Sequence, residues 1–309
     1  MVFIFVLVFI LIALDNKYMK HEVNKDWISL GIGTCLLEIL ALTTIATIVK
    51  YLSPEIQIIT ILFFRYAFSL PLLFLFGFFQ RGKNLLRINR RLTLAIRIVV
   101  GITGLASYFM AIGIIGIGKT IALGQLVTIF ITILAPIILA EKVGVRRWIA
   151  VIIGFLGSLI IINPSQEGWL SYGILWGLNS ALFSALLNIF LRKLGSTDHP
   201  ISTALWYNIA GSGLFTFLFL FMNYSLPEDK YVLLILIASG ALSSIQQFLL
   251  AFSRSLAPAI ILAPLQYLAV PISFFVAINF FDENLGINYI LGSCIIIGST
   301  FYISLQPKS

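Results

Sequence analysis

The residue in this chain best placed to do chemistry is Glu38. It lies near the centre of Trp27–Leu52, WISLGIGTCLLEILALTTIATIVKYL, a stretch long and apolar enough to cross a bilayer. A carboxylate at that depth costs about 2.5–3.5 kcal/mol on insertion scales, so a chain that keeps one there uses it or pairs it. The uses are binding a cationic group or carrying a proton. The structural alternative is a partner such as Arg97 or a backbone carbonyl. Gln125, Asn179, Gln246 and Gln266, with the hydroxyls of Tyr108 and Tyr267, punctuate other apolar stretches at middle depths. One such amide is helix–helix glue worth about 0.6 kcal/mol. Several of them converging from different stretches read as the lining of a cavity, with Gln266-Tyr267 as the preferred pair. Trp176 offers a ring face to a cation. Two cations also fall inside apolar stretches. Arg65 is deep and is divided between fold-holding hydrogen bonds and contact with substrate or gate. Arg97 is close enough to an end to snorkel, and reads as structural or gating.

Catalytic inventory is poor. The two histidines, His21 and His199, fall in polar connections, and no Ser-His-Asp set, nucleotide loop or metal-ligand spacing is present. The expectation is therefore neither an enzyme nor a cofactor protein. Cys35 and Cys294 sit in apolar runs and read as small buried hydrophobes.

The elements that must position these groups follow from composition. Of 309 residues 60% are hydrophobic and only 10% charged, with mean hydropathy +1.05. That excess needs an apolar solvent, so the chain is read as an all-α integral membrane protein. Continuous apolar runs, rather than alternating ones, predict ten spans at 28–51, 56–79, 93–114, 119–140, 146–163, 169–191, 200–222, 231–253, 257–280 and 287–305. The first 26 residues form an N-terminal extension, of which 1–18 resemble an upstream start or a short membrane-associated piece ahead of Met19. The net charge of +8 points to loops rather than to nucleic acid, because most of the 20 basic residues fall in alternate connections. Arg81, Lys83, Arg87, Arg90 and Arg91 crowd one of them. The positive-inside rule then puts both termini in the cytoplasm.

The chain also repeats itself. Trp27-Ile-Ser-Leu-Gly31 recurs as Trp169-Leu-Ser-Tyr-Gly173, and Glu141-Lys-Val-Gly144 as Glu283-Asn-Leu-Gly286, at one offset of 142 residues. Gln125 and Tyr267 are equivalent under it, whereas Glu38 falls on Ser180. Five spans per copy is an odd number, which predicts ten transmembrane helices as two inverted five-helix repeats, 27–163 and 169–305, with a site between them near the midplane.

These features resemble the drug/metabolite transporter superfamily, EamA type. Phe63-Phe64-Arg65-Tyr66 in span two is similar to the family's aromatic-Arg signature, following a first helix ended by Lys50-Tyr51-Leu52. Spans four and nine close on Ala140-Glu141-Lys142 and Phe281-Asp282-Glu283, like the family's terminal Glu, and Gly154, Gly157, Gly292 and Gly298 follow. The family's mid-helix Pro is Pro271 in the second half, but Ile129 in the first, where Pro136 stands nearer the helix end. Pro271, Glu141 and Glu283 are accordingly expected to serve gating or structure. The resemblance implies transport by alternating access. The expected protein is a secondary transporter of small polar metabolites such as amino acids or amines in a bacterial inner membrane, a monomer or homodimer, with proton coupling through Glu38. A flippase for lipid or lipid-linked intermediates is the alternative in the same fold, and a non-transporting scaffold with Glu38 locked to Arg97 is the third reading.

Overall fold

The computed structural model describes residues 25–139, 144–162, 171–195, 197–256, 262 and 265–305. The N-terminal extension up to residue 24, Glu141 and Trp169 lie outside them. Apart from one 3-10 turn over 82–84, the described elements are ten α-helices: α1 Lys25–Leu52, α2 Ile58–Arg81, α3 Arg91–Gly124, α4 Leu126–Leu139, α5 Val145–Ile162, α6 Tyr172–Leu194, α7 Pro200–Phe221, α8 Lys230–Leu256, α9 Ala269–Phe281 and α10 Ile287–Leu305. Six of them (α1, α2, α3, α6, α7 and α8) are long and apolar enough to cross a membrane, and the other four are shorter apolar helices. The chain is a multi-pass membrane protein.

Burial on α1 shows how the bundle sorts its side chains. Cys35, Glu38 and Ile39 are buried, while Leu37 and Leu40 are 45% and 49% exposed. Phe74, Phe78, Phe217 and Phe221 are likewise exposed. The outward surface is apolar and the polar groups point in, as lipid surroundings require. Helix α1 packs on α8, α3 on α6, α2 on α7 and α5 on α10. Exchanging the first five helices for the last five turns α1·α8 into α3·α6 and leaves α2·α7 and α5·α10 unchanged. Helices α5 and α10 cross closely because both present glycine there: a Cβ on Gly292 would meet the Gly157 carbonyl oxygen at 2.6 Å.

The structure departs from the expected spans at two places, the first between spans three and four. Hydropathy places a connection between 114 and 119, but helical structure runs on to Gly124, interrupted only at Gly116 with φ 85° and ψ 174°. The helix therefore breaks at a single residue. Glycine is required there twice over, since L side chains disfavour that φ and a Cβ would overlap the Glu283 carboxylate. Breaking a helix leaves new N–H donors at the start of the next piece. Glu283 accepts two of them, from Ile117 N (2.7 Å) and Gly118 N (3.2 Å). An anion just past the C-terminus of its own helix faces the wrong end of that dipole, and here it finds the favourable end of another. The second departure is in span nine. Tyr267 and Leu268 form a turn, and α9 starts at Ala269. Pro271 thus sits in a first turn, where no hydrogen bond is lost, and not at a mid-helix bend. Pro136 is inside α4.

Replacing Gly116 by Ala is expected to cost about 2 kcal/mol through strain and overlap, read as a drop of roughly 5 °C in the melting midpoint of the detergent-solubilised protein. Gly124, where a Cβ would meet nothing within 4 Å, provides the comparison, and Gly124→Ala should leave the midpoint unchanged or slightly raised.

Candidate functional site

Glu38 is 2% exposed, on the inward face of α1. Its Oε1 accepts from Gln246 Nε2 on α8, and its Oε2 from Gln266 Nε2 beside the turn that precedes α9, both at 2.8 Å. Gln266 Nε2 also approaches Cys35 Sγ at 3.4 Å. Three of the residues singled out by type alone therefore form one cluster. The carboxylate is paired with neutral amides, and Arg97 is elsewhere.

The glutamine after Gln246 extends the polar path. Gln247 Oε1 accepts from Asn208 Nδ2 on α7 at 3.1 Å, and Asn208 Oδ1 accepts from Ser69 Oγ on α2 at 2.7 Å. Beside Asn208, the Tyr207 hydroxyl accepts from Tyr66 at 2.6 Å and donates to the Gly101 carbonyl at 3.4 Å. Both arginines stack on this tyrosine pair. Arg97 Cζ lies 4.3 Å from the Tyr207 ring centroid, and Arg65 Cζ lies 4.8 Å from that of Tyr66. Arg97 is 5% exposed, so it is buried and does not snorkel.

Other sequence candidates sit apart. Asn179 on α6 donates to Ser107 Oγ on α3 at 2.8 Å, a bond between two packed helices. Gln125 is half-buried at the junction of α3 and α4, its N–H bonded to the Ala122 carbonyl. Tyr267 is buried at the matching break in the second half. Tyr108 and Trp176 are half-buried, and Pro271 is exposed. Sequence reasoning missed Cys35, Ser69 and Tyr66 as members of the polar path. Asn208 was open to the same argument as the other amides, being a mid-helix amide in an apolar run.

The Glu38 cluster has no acid or amide counterpart in the other half. Under the repeat offset Glu38 corresponds to Ser180, and Gln246 to Gly104. The Asn179–Ser107 bond in turn corresponds to Leu37 and Leu249. The frame is duplicated and its polar contents are not.

A separate polar cavity of about 260 Å³ lies where the α2–α3 and α6–α7 connections meet, lined by Arg81, Arg87, Asn89, Asp198 and His199 among others. It is charged and loop-built, far in character from the Glu38 cluster. Asp198 holds the two connections together: it accepts from Asn89 N (2.5 Å), Arg90 N (3.3 Å) and the Thr197 hydroxyl (2.8 Å). Direct contact puts these two connections on one face, as four intervening spans require. Burial works to raise the Asp198 carboxyl, but the hydrogen bonds from Asn89, Thr197 and Arg90, with the Arg90 charge, outweigh it and hold the group below its ordinary value.

The family model of the EamA-like transporters matches residues 29–163 and again 171–305. The chain belongs to the EamA-like transporter family. Among curated relatives, it is 28% identical to an S-adenosylmethionine uptake transporter of Rickettsia bellii over 280 residues, 91% of this chain and 95% of the relative. It is 26% identical to a riboflavin transporter of Brucella anthropi over 258 residues, 81% of this chain and 89% of the relative. A solved crystal structure superimposes with TM-score 0.63 over 91% of this chain and 98% of the other, at 13% identity, which shows a shared fold. In this EamA-type protein, as in its relatives, the ten helices serve transport rather than catalysis.

Two predictions follow from the site geometry. Gln246→Leu leaves one oxygen of a buried carboxylate without its donor and should cost about 1–3 kcal/mol, measured as a lower melting midpoint. Glu38→Gln/Gln246→Leu together should recover part of that loss, because the unpaired charge is gone. At the loop contact, a lowered carboxyl stabilises above its ordinary value near pH 4 and loses that contribution as the pH falls through the folded-state value. Amide exchange over residues 82–90, corrected for intrinsic rates, should stay flat from about pH 8 to 5 and rise below about pH 4. Asp198→Asn should raise it already at neutral pH.

Proposed function

We propose that this protein is a secondary transporter that takes up a small metabolite carrying a cationic centre, and that Glu38 is the group that recognises it. The observation that carries this reading is the arrangement around Glu38. Among the described residues, a carboxylate deep in the bundle is held by two side-chain amides, one of them beside the turn ahead of α9. Neutral partners leave its charge uncompensated, so a ligand cation has most to gain there. A sulfonium or quaternary ammonium, which donates no hydrogen bond, is recognised by charge alone, and a carboxylate supplies it. The similarity to relatives named for S-adenosylmethionine uptake supports a sulfonium substrate in particular, since that molecule carries a permanent positive charge.

Alternating access fits the frame. Two family copies with five helices each are inverted relative to one another if every helix spans. The pairings α1·α8 and α3·α6 exchange under that relation. The basic α2–α3 connection argues for the cytoplasmic side, with both termini there, in a bacterial inner membrane. The side-chain amides also suit proton coupling. Gln246 and Gln266 present N–H to a carboxylate, and by turning over can present C=O to a carboxylic acid, so Glu38 keeps its partners in either protonation state. Substrate and proton would then compete for one carboxylate.

Uptake into proteoliposomes under an imposed pH gradient tests this. The wild type should accumulate labelled S-adenosylmethionine in preference to riboflavin, and Glu38→Gln should lose gradient-driven accumulation. Full pH-dependent uptake by Glu38→Gln would remove both roles from Glu38.

A further inference from the structure

The polar path from Glu38 ends at groups whose hydrogen-bonding capacity is one-sided. Among the described residues, Arg65 Nη1, Arg97 Nε, Arg97 Nη1 and Gln247 Nε2 are buried without a hydrogen-bond partner. Every one of these atoms is a donor. Arg65 and Arg97 are 7% and 5% exposed, so water is not a ready substitute. The acceptors nearby are largely committed: Asn208 Oδ1 to Ser69, Gln247 Oε1 to Asn208, and the Tyr207 oxygen to Tyr66. The Glu38 oxygens are committed to the two glutamines. Two guanidinium groups cannot discharge themselves by losing protons, and the tyrosine faces they stack on offer only part of the missing stabilisation. Four helices (α2, α3, α7 and α8) thus carry two fixed positive charges on the Tyr66–Tyr207 pair and a spare amide N–H against the neighbouring Asn208, with no acidic side chain among the described residues paired to them.

We propose that Arg65, Arg97 and Gln247 form an anion subsite that receives a carboxylate of the transported substrate, walled by the Tyr66 and Tyr207 rings. The inference rests on the transport reading above and narrows its substrate class. The transported molecule is a zwitterion, its cationic centre at Glu38 and its carboxylate at the arginines. The consecutive glutamines of α8 link the two ends of the polar path, Gln246 bonded to Glu38 and Gln247 to Asn208 beside the tyrosine pair. A guanidinium fork matches a carboxylate in two parallel hydrogen bonds, which an ammonium does not. A substrate lacking the carboxylate would leave the buried donors as they are and gain nothing from them.

The test is equilibrium binding to the purified full chain in lipid nanodiscs, with S-adenosylmethionine and its decarboxylated analogue as the probes. Wild type should prefer the carboxylate-bearing probe by roughly tenfold or more, the worth of a charge-assisted hydrogen bond. Arg97→Gln and Arg65→Gln should each abolish that preference. Arg97→Lys should restore only part of it, and Gln247→Leu should reduce it. Equal affinity of the wild type for both probes would overturn the subsite and leave the Glu38 reading standing. So would a preference that survives Arg97→Gln. Should an arginine variant fail to elute as a monodisperse protein, Gln247→Leu decides, and an unchanged preference overturns the subsite. If wild type binds neither probe, the sulfonium reading fails. The anion site is then judged by thermal stabilisation with sodium acetate over sodium chloride at equal concentration: a rise in midpoint lost in Gln247→Leu supports it, and no acetate response overturns it.

Discussion

A carboxylate inside a lipid-facing bundle must be satisfied locally, and the packing around Glu38 is arranged to do so. Its two oxygens accept from amides on two other helices, which ties α1 to α8 and to the break ahead of α9. That requirement fixes which face of α1 turns inward and sends the neighbouring leucines outward. A neutral donor set is the weaker choice if stability were the only demand, since a cation would offset the charge more fully. Two cations are available within the same bundle, and both are placed on tyrosine rings instead.

Glu283 shows the same constraint at the end of the bundle. A helix broken at one glycine exposes N–H donors, and a carboxylate from the far half of the chain takes them. This bond crosses between the two family copies, as do the Glu38–Gln246, Asn179–Ser107 and Tyr66–Tyr207 contacts. The halves are held together by polar pairs that each half alone lacks. At Glu38, Gln246, Asn179 and Ser107 the copies differ, the equivalents being Ser180, Gly104, Leu37 and Leu249, so those two bonded pairs have no duplicate. A duplicated frame with unduplicated contacts gives one polar path, not two.

Much of this was legible in the sequence. Continuous apolar runs set the helices, and residue type at mid-depth marked Glu38, Gln246 and Gln266. The EamA-like copies were visible in the Trp27/Trp169 and Glu141/Glu283 correspondences. What was hidden is who pairs with whom: the glutamines that hold Glu38 are 208 and 228 residues away in the chain, and no local pattern encodes such a contact. The junction between spans three and four was legible, since Gly116 lies in the expected connection between 114 and 119; what was hidden is that helix resumes at once and runs on to Gly124. Arg97 was misplaced for a related reason. Depth along a helix predicts reach to the interface, but only packing shows that Tyr207 covers the guanidinium. Asn179 looked like cavity lining by type, and its bond to Ser107 on the packed helix makes it a tie between helices.

The most direct measurement is a structure of the protein in lipid with S-adenosylmethionine bound. The sulfonium is expected against the Glu38 carboxylate, with at least one of the Gln246 and Gln266 amides moved off its oxygen. A structure with both amides still on Glu38 and the substrate seated elsewhere in the bundle would contradict it.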